Sequence, residues 1–175
     1  FQGESVSILE IGFGTGLNAF ITYLEAKNSG QKIDYTGVEA FPVSEEDALK
    51  MNYVSELEAD SEFAIFLKMH ESTWNESVVL EEKFTLEKQN KKFQEIGDSE
   101  KYDLIYFDAF GFRVQPELWS LEIFQIMFQA LKPQGILVTY ACRSSIKNAM
   151  KEAGIEVEKL GGPPGKREML RARKL

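Results

Sequence analysis
Short aliphatic, β-branched and aromatic runs alternate along the chain with stretches whose apolar positions recur at helical spacing. Val6 to Ile11 predicts a buried strand stopped by Gly12. Leu17 to Lys27 predicts a helix with Leu17, Phe20, Ile21 and Leu24 on its apolar face, ended by Asn28-Ser29-Gly30. Ile33 to Val38 reads as a second strand. Pro42 and Ser44 open a second helix whose first turn carries Glu45, Glu46 and Asp47, the favourable end for acids. Residues 51–82 are mixed, acidic on one side and helical in pattern around Ala64, Ile65, Leu67 and Lys68. No linker flanks them, so they read as a helical insertion. Phe84 to Leu86 is a short third strand, and Tyr102 to Phe107 a strong fourth one ending in Asp108. A helix from Pro116 to Leu131, a strand from Ile136 to Tyr140 and a helix from Ser144 to Ala153 follow. Ile155 to Leu160 and Glu168 to Ala172 are two final strands. The short Gly161-Gly162-Pro163-Pro164-Gly165 link suits an antiparallel hairpin.

Strand-helix alternation of this kind predicts an α/β fold, a doubly wound and mostly parallel sheet with helices on both faces. Seven strands are counted, the last two forming the C-terminal hairpin, in a single domain over residues 1–175.

Composition adjusts this picture in few places. The chain of 175 residues is 43% hydrophobic, enough for a real core, and has a formal net charge of −8, which opposes broad binding to a polyanion. The acidic excess lies between Glu39 and Glu100. The end is basic, with Lys166, Arg167, Arg171, Arg173 and Lys174 against Glu168, so local contact with RNA stays open. A single cysteine, Cys142, excludes an internal disulfide and points to a reduced, cytoplasmic setting. With one histidine, His70, no zinc cluster is expected and no metal is assigned. His70 reads as an exposed or half-buried helix residue, and Cys142 as a small buried one. No apolar run reaches the ~18 residues of a membrane span, and no signal peptide is seen.

Chemistry concentrates where strands end. Glu10-Ile11-Gly12-Phe13-Gly14-Thr15-Gly16-Leu17-Asn18 joins the first strand to the first helix. Its glycines permit a tight turn and close backbone approach to a ligand. The spacing is not that of dinucleotide sites, because the position three after Gly14 is Leu17, and the Gly-Lys-Ser/Thr of a P-loop is absent. An acid ahead of the loop suits S-adenosylmethionine, which carries a cationic amine and a sulfonium and no pyrophosphate. Glu39, at the end of the second strand, can accept both hydroxyls of a ribose. A plain strand-to-helix turn and a solvated strand-end acid are the structural alternatives.

Asp108 ends the fourth strand, at the crevice where such sheets bind ligands. A methyl acceptor must aim a lone pair in line with the sulfonium carbon. For an amine that means a neutral nitrogen, held by a group able to take a proton. Asp108 can do this, and Phe110 can wall the base or the sulfonium. Helix capping by Asp108 and core packing by Phe110 are the other readings, and Phe112, Trp119 and Tyr140 are read as core.

The blocks EIGFGTGLN (Glu10 to Asn18), Glu39-Ala40-Phe41-Pro42, Asp108-Ala109-Phe110 with Gln115-Pro116-Glu117-Leu118-Trp119, and Gly165-Lys166-Arg167-Glu168-Met169 occur in that order. Together they resemble the methyltransferase domain of the MnmC-type tRNA-modifying enzymes over nearly the whole chain. The resemblance implies a Rossmann-like class I S-adenosylmethionine-dependent methyltransferase fold, whose closing hairpin dehydrogenase domains usually lack. It implies N-methylation of the 5-aminomethyl group of tRNA wobble uridine, giving 5-methylaminomethyl-(2-thio)uridine. Gly12, Gly14, Gly16 and Asn18 would line the methionine part of the cofactor, with Glu10 and Phe13 counted beside them, and Glu39 with Ala40 the ribose. Asp108 would hold the amine beside Phe110, and Pro116, Lys166 and Arg167 would meet the substrate. The family's Gly-Asp after the third strand is replaced near Gln89-Asn90, so Asn90 is taken for the adenine contact. Gly111-Phe112 stands where the family continues Ala-Pro. The family's amino-terminal motif and the fused flavin oxidase of some members are not in this sequence. A stand-alone domain is therefore expected, with a separate enzyme supplying the aminomethyl precursor. Transfer to a small-molecule or protein amine, aminopropyl transfer on the same fold, and a cofactor-binding partner domain remain open alternatives.

Overall fold
A computed structural model describes residues 5–162, 165 and 168–175. Eight strands form one sheet: β1 (Ser5–Ile11), β2 (Lys32–Glu39), β3 (Ser77–Glu81), β4 (Phe84–Asn90), β5 (Tyr102–Phe107), β6 (Leu131–Thr139), β7 (Glu156–Gly161) and β8 (Glu168–Arg173). Their order is β3-β4-β2-β1-β5-β6-β8-β7. The five inner strands from β4 to β6 are parallel, and β8 runs antiparallel to both β6 and β7.

The helices are α1 (Leu17–Ser29), α2 (Glu45–Leu49), α3 (Tyr53–Glu56), α4 (Phe63–Glu71), α5 (Leu121–Ala130) and α6 (Ser144–Glu152). Two apolar cores flank the sheet. Val6 and Ile8 of β1 face one, with Phe20 and Tyr23 of α1 and Phe66 and Met69 of α4. Leu9 and Ile11 face the other, with Phe124 and Met127 of α5 and Ile146 and Met150 of α6. A strand covered on both sides has no solvent face to alternate with, which is why Ile8 and Leu9 of β1 are apolar in succession and both buried.

Several expectations need correction. The sheet has eight strands, not seven. Within the 51–82 stretch, α3 and α4 are helical, but Ser77–Glu81 is a strand antiparallel to β4, with a bulge between Val79 and Glu81. Its Val78-Val79-Leu80 core favours a strand, and Glu82-Lys83 closes the hairpin. The buried face of α1 is Ala19, Phe20, Tyr23 and Ala26, while Ile21 is exposed and Leu17 and Leu24 are half-buried. Small residues let this helix sit close to the sheet, a factor that counting apolar positions misses. The expected Pro116–Leu131 helix is split. Pro116–Trp119 is a 3-10 turn, Ser120 caps α5 by accepting from the Ile123 N–H, and β6 starts at Leu131.

Part of the basic end serves the fold. Lys174 is buried, its Nζ 2.9 Å from Leu131 O and 3.3 Å from Glu100 Oε1. Arg171 pairs with Glu158 across the hairpin. Among the described residues no helix is long and apolar enough to cross a membrane.

Candidate active site
The carboxyl ends of β1, β2, β4 and β5 converge on a cavity of about 680 Å³, within the range of small-ligand sites. Nine of the site residues expected from sequence line it, and their placement follows from the loop that starts at Gly12. The Gly12 and Phe13 N–H groups donate to Val38 O at 3.0 and 3.2 Å. Gly12 has φ +89°, and a Cβ there would lie 2.8 Å from Asp108 O. The β1 loop and the Asp108 backbone thus touch, and the Asp108 N–H donates to Ile11 O at 3.0 Å. Gly16, φ +77°, starts α1.

Glu39 is buried at the end of β2. Its carboxylate accepts from the Gly14 N–H at 3.1 Å and from the Phe41 N–H at 3.0 Å. Each oxygen keeps a lone pair for a ligand hydroxyl. Glu10 is 1% exposed. It accepts from Asn18 Nδ2 on one oxygen and from the Tyr35 hydroxyl on the other, both at 2.8 Å. Burial, outweighing those two hydrogen bonds and reinforced by the charges of Asp108 and Glu39, pushes its carboxyl up to about 8. A cation entering the cavity would reverse that cost and favour the ionised form.

Asn18 has a second partner, Asp108 Oδ2, at 3.1 Å. The backbone beyond Asp108 is held by aromatic side chains. Tyr140 donates its hydroxyl to Ala109 O at 2.9 Å, and Trp119 its indole N–H to Phe110 O at 2.8 Å. Trp119 is buried against Phe107, with ring centroids 5.0 Å apart. Phe110 itself stays 60% exposed, which leaves its ring face available at the mouth.

Glu10, Gly12, Phe13, Gly14, Asn18, Glu39, Ala40, Asp108 and Phe110 all line the cavity. Three other expected residues do not line it. Gly16 is buried behind the loop against the His70 ring. Asn90 sends its amide to Glu39 O at 2.9 Å and Ala40 O at 3.3 Å, tying the end of β4 to the turn after β2. Pro116 opens the 3-10 turn, and its neighbours Gln115 and Glu117 reach the cavity instead. Lys166 and Arg167 lie outside the described residues. The sequence reading missed Tyr53, Lys92, Phe93, Gln94, Glu117 and Tyr140, which also line the cavity. Lys92 to Gln94 follow β4, so the rule that ligands sit past parallel-strand ends would have pointed to them. His70 and Cys142 are half-buried. Among the described residues no group of three or more His, Cys, Asp or Glu is placed to hold a metal.

An adenosyl ligand with a cationic methionine end fits this lining. Glu10 and Asp108 offer carboxylates to the cation, Glu39 accepts from hydroxyls, and the loop glycines keep that wall free of side chains.

Residues 53–175 match the family described as S-adenosyl-L-methionine-dependent methyltransferase. The tRNA 5-methylaminomethyl-2-thiouridine biosynthesis bifunctional protein MnmC of Idiomarina loihiensis is 28% identical, over 95% of this chain and 29% of its own length. The protein of that name from Campylobacter fetus subsp. fetus is also 28% identical, over 98% of this chain and 29% of its own. This chain therefore spans under a third of those relatives. Among solved structures, MNMC2 from Aquifex aeolicus superposes with a TM-score of 0.70 at 20% identity, over 98% of this chain and 54% of that one.

Proposed function
The chain belongs to the S-adenosyl-L-methionine-dependent methyltransferase family, and from that premise we propose that it methylates the 5-aminomethyl group of a tRNA wobble uridine. The observation that carries this reading is Asp108, a carboxylate at the cavity mouth hydrogen-bonded by Asn18 from the glycine loop and followed by the exposed ring of Phe110. The cofactor, when bound, supplies an electrophilic methyl group on a sulfonium. Glu10, Gly12, Gly14 and Asn18 would hold its methionine end, and Glu39 the ribose. Asp108 accepts a hydrogen bond from the acceptor amine and so aims the nitrogen lone pair at the methyl carbon. Asp108 would also take the proton that the methylated nitrogen must lose. Phe110 offers a face on which a splayed-out uridine can stack. The residues Lys166 and Arg167 are assigned to RNA phosphates in this reading.

An acceptor of this kind places the reaction in the cytoplasm and requires a separate chemistry to install the aminomethyl group first. A second reading is favoured by the charges lining the cavity, where Glu10, Glu39, Asp108 and Glu117 face Lys92 alone among the described residues. Such a lining also suits a small polycationic amine.

The test is transfer of labelled methyl from S-adenosylmethionine to bulk tRNA from cells lacking this protein, followed by nucleoside analysis. A new 5-methylaminomethyl-type uridine, absent with Asp108→Ala, is the expected result. Label in spermidine-like amines and none in tRNA would replace it with the second reading.

A further inference from the structure
The segment between β2 and β3 reaches the glycine loop at two adjacent residues, Thr15 and Gly16. Tyr53, the first residue of α3, brings its hydroxyl 2.7 Å from Thr15 Oγ1. His70, near the end of α4, has its Nε2 buried without a hydrogen-bond partner among the described residues. Its ring packs on Phe66 and Phe13, with centroids 4.8 and 6.3 Å apart. It also lies so close to Gly16 that a Cβ there would come within 3.1 Å of Nε2. Desolvation, with the nearby Lys88 charge, lowers the imidazole to about 4, so it packs here as a neutral ring. Lys88, 2% exposed, fixes the end of α4 by donating to His70 O at 2.8 Å.

Thr15 stands between Gly14, φ +53°, and Gly16, φ +77°. Two glycines in left-handed conformations give this stretch wide local freedom, which the Gly14 N–H bond to Glu39 and the Gly16 N–H bond to Phe13 O at 3.0 Å only partly offset. Tyr53 closes on Thr15 and the His70 ring on Gly16.

We propose that Tyr53, through Thr15, and His70, through its packing on Gly16, are positioning residues that hold the glycine loop in its ligand-binding geometry. The segment carrying α3 and α4 then serves cofactor affinity. This inference rests on the reading that the cofactor occupies the glycine-loop cavity. An unanchored loop must be ordered at the moment of binding, and that cost appears as weaker affinity with unchanged chemistry.

Tyr53 also borders the cavity, so the experiment must separate action through Thr15 from direct contact. Binding of S-adenosylhomocysteine is measured by calorimetry for the wild type, Tyr53→Phe, Thr15→Val and the double variant. Initial rates give KM for the cofactor and kcat. Each single variant is expected to raise Kd about fivefold, the equivalent of one lost hydrogen bond. The double variant should be no weaker than either single one. Thr15→Ser, which keeps the hydroxyl, should restore wild-type affinity, and His70→Phe should weaken binding in the same direction. At saturating cofactor kcat should hold, with the thermal midpoint of Tyr53→Phe unchanged. A wild-type Kd for Tyr53→Phe, or multiplying effects in the double variant, would overturn the proposal. If the wild type itself binds no S-adenosylhomocysteine, the reading of the cavity fails, and the inference with it.

Discussion
Asn18 and Asp108, ninety residues apart in sequence, are joined by a 3.1 Å hydrogen bond in which the amide donates to Oδ2. The same amide nitrogen donates to Glu10 at 2.8 Å. One side chain on the first turn of α1 therefore spaces two carboxylates from two different strands. Asn18→Leu keeps the size and removes both bonds. It should lower kcat about tenfold and weaken cofactor binding, read together in a rate series over cofactor concentration.

Asp108→Asn tests a narrower point. The amide can still accept a hydrogen bond from an amine, but it cannot take a proton. A fall in kcat of about 100-fold, with S-adenosylhomocysteine affinity nearly unchanged, is expected. Equal loss of binding and rate in a folded protein would remove the acceptor-holding role.

Glu10 should leave a mark on stability. Its carboxyl titrates near 8 in the fold against an ordinary value of 4.5. Between those values the folded state binds the extra proton, so stability falls as pH rises from about 4.5 through about 8. Tyr35, Asp108 and Glu39 are the ionisable groups that face it. Glu10→Gln should flatten that slope in urea melts taken between pH 5 and 9. A cationic cofactor prefers the ionised carboxyl, so wild-type affinity should rise over the same range and that of Glu10→Gln should not. A variant with the wild-type slope would assign the pH dependence elsewhere.

Gly12→Ala and Gly14→Ala should separate by cost. The first forces a Cβ to 2.8 Å from the Asp108 carbonyl at φ +89°, with backbone on both sides of the clash. Destabilisation of about 2–4 kcal/mol and loss of cofactor binding are expected. The second has only Gly12 O near, at 4.0 Å, so its folding cost should be about 1 kcal/mol, from φ alone. Denaturant midpoints of the two variants decide the order.

What the sequence made legible was local in origin. The glycine spacing, Glu39 and Asp108 announce themselves because strand ends and turns carry their own residue signals, and the parallel order follows from strand-helix alternation. Other features depended on distant chain. Asn90 was matched to a ligand contact by its place after β4, yet its amide is used up on the Glu39–Ala40 backbone. Tyr53 and Glu117 reach the cavity from a four-residue helix and a 3-10 turn, too short for any periodicity to encode their placement. β3 was hidden because Val78 to Leu80 sits among acids that matched a helical stretch, and a strand of five residues gives little signal against them. Lys174, counted from sequence with the basic end, is placed by the fold against the ring of Phe128.

The two margins of the sheet share a design. β3 on one side is five residues long and bulged, and β7 on the other carries Glu156, Glu158 and Lys159. Short, irregular or charged outer strands make poor templates for another backbone. Eight strands can thus lie open at both ends without inviting copies of the molecule to join edge to edge. Self-association by sheet extension is thereby disfavoured.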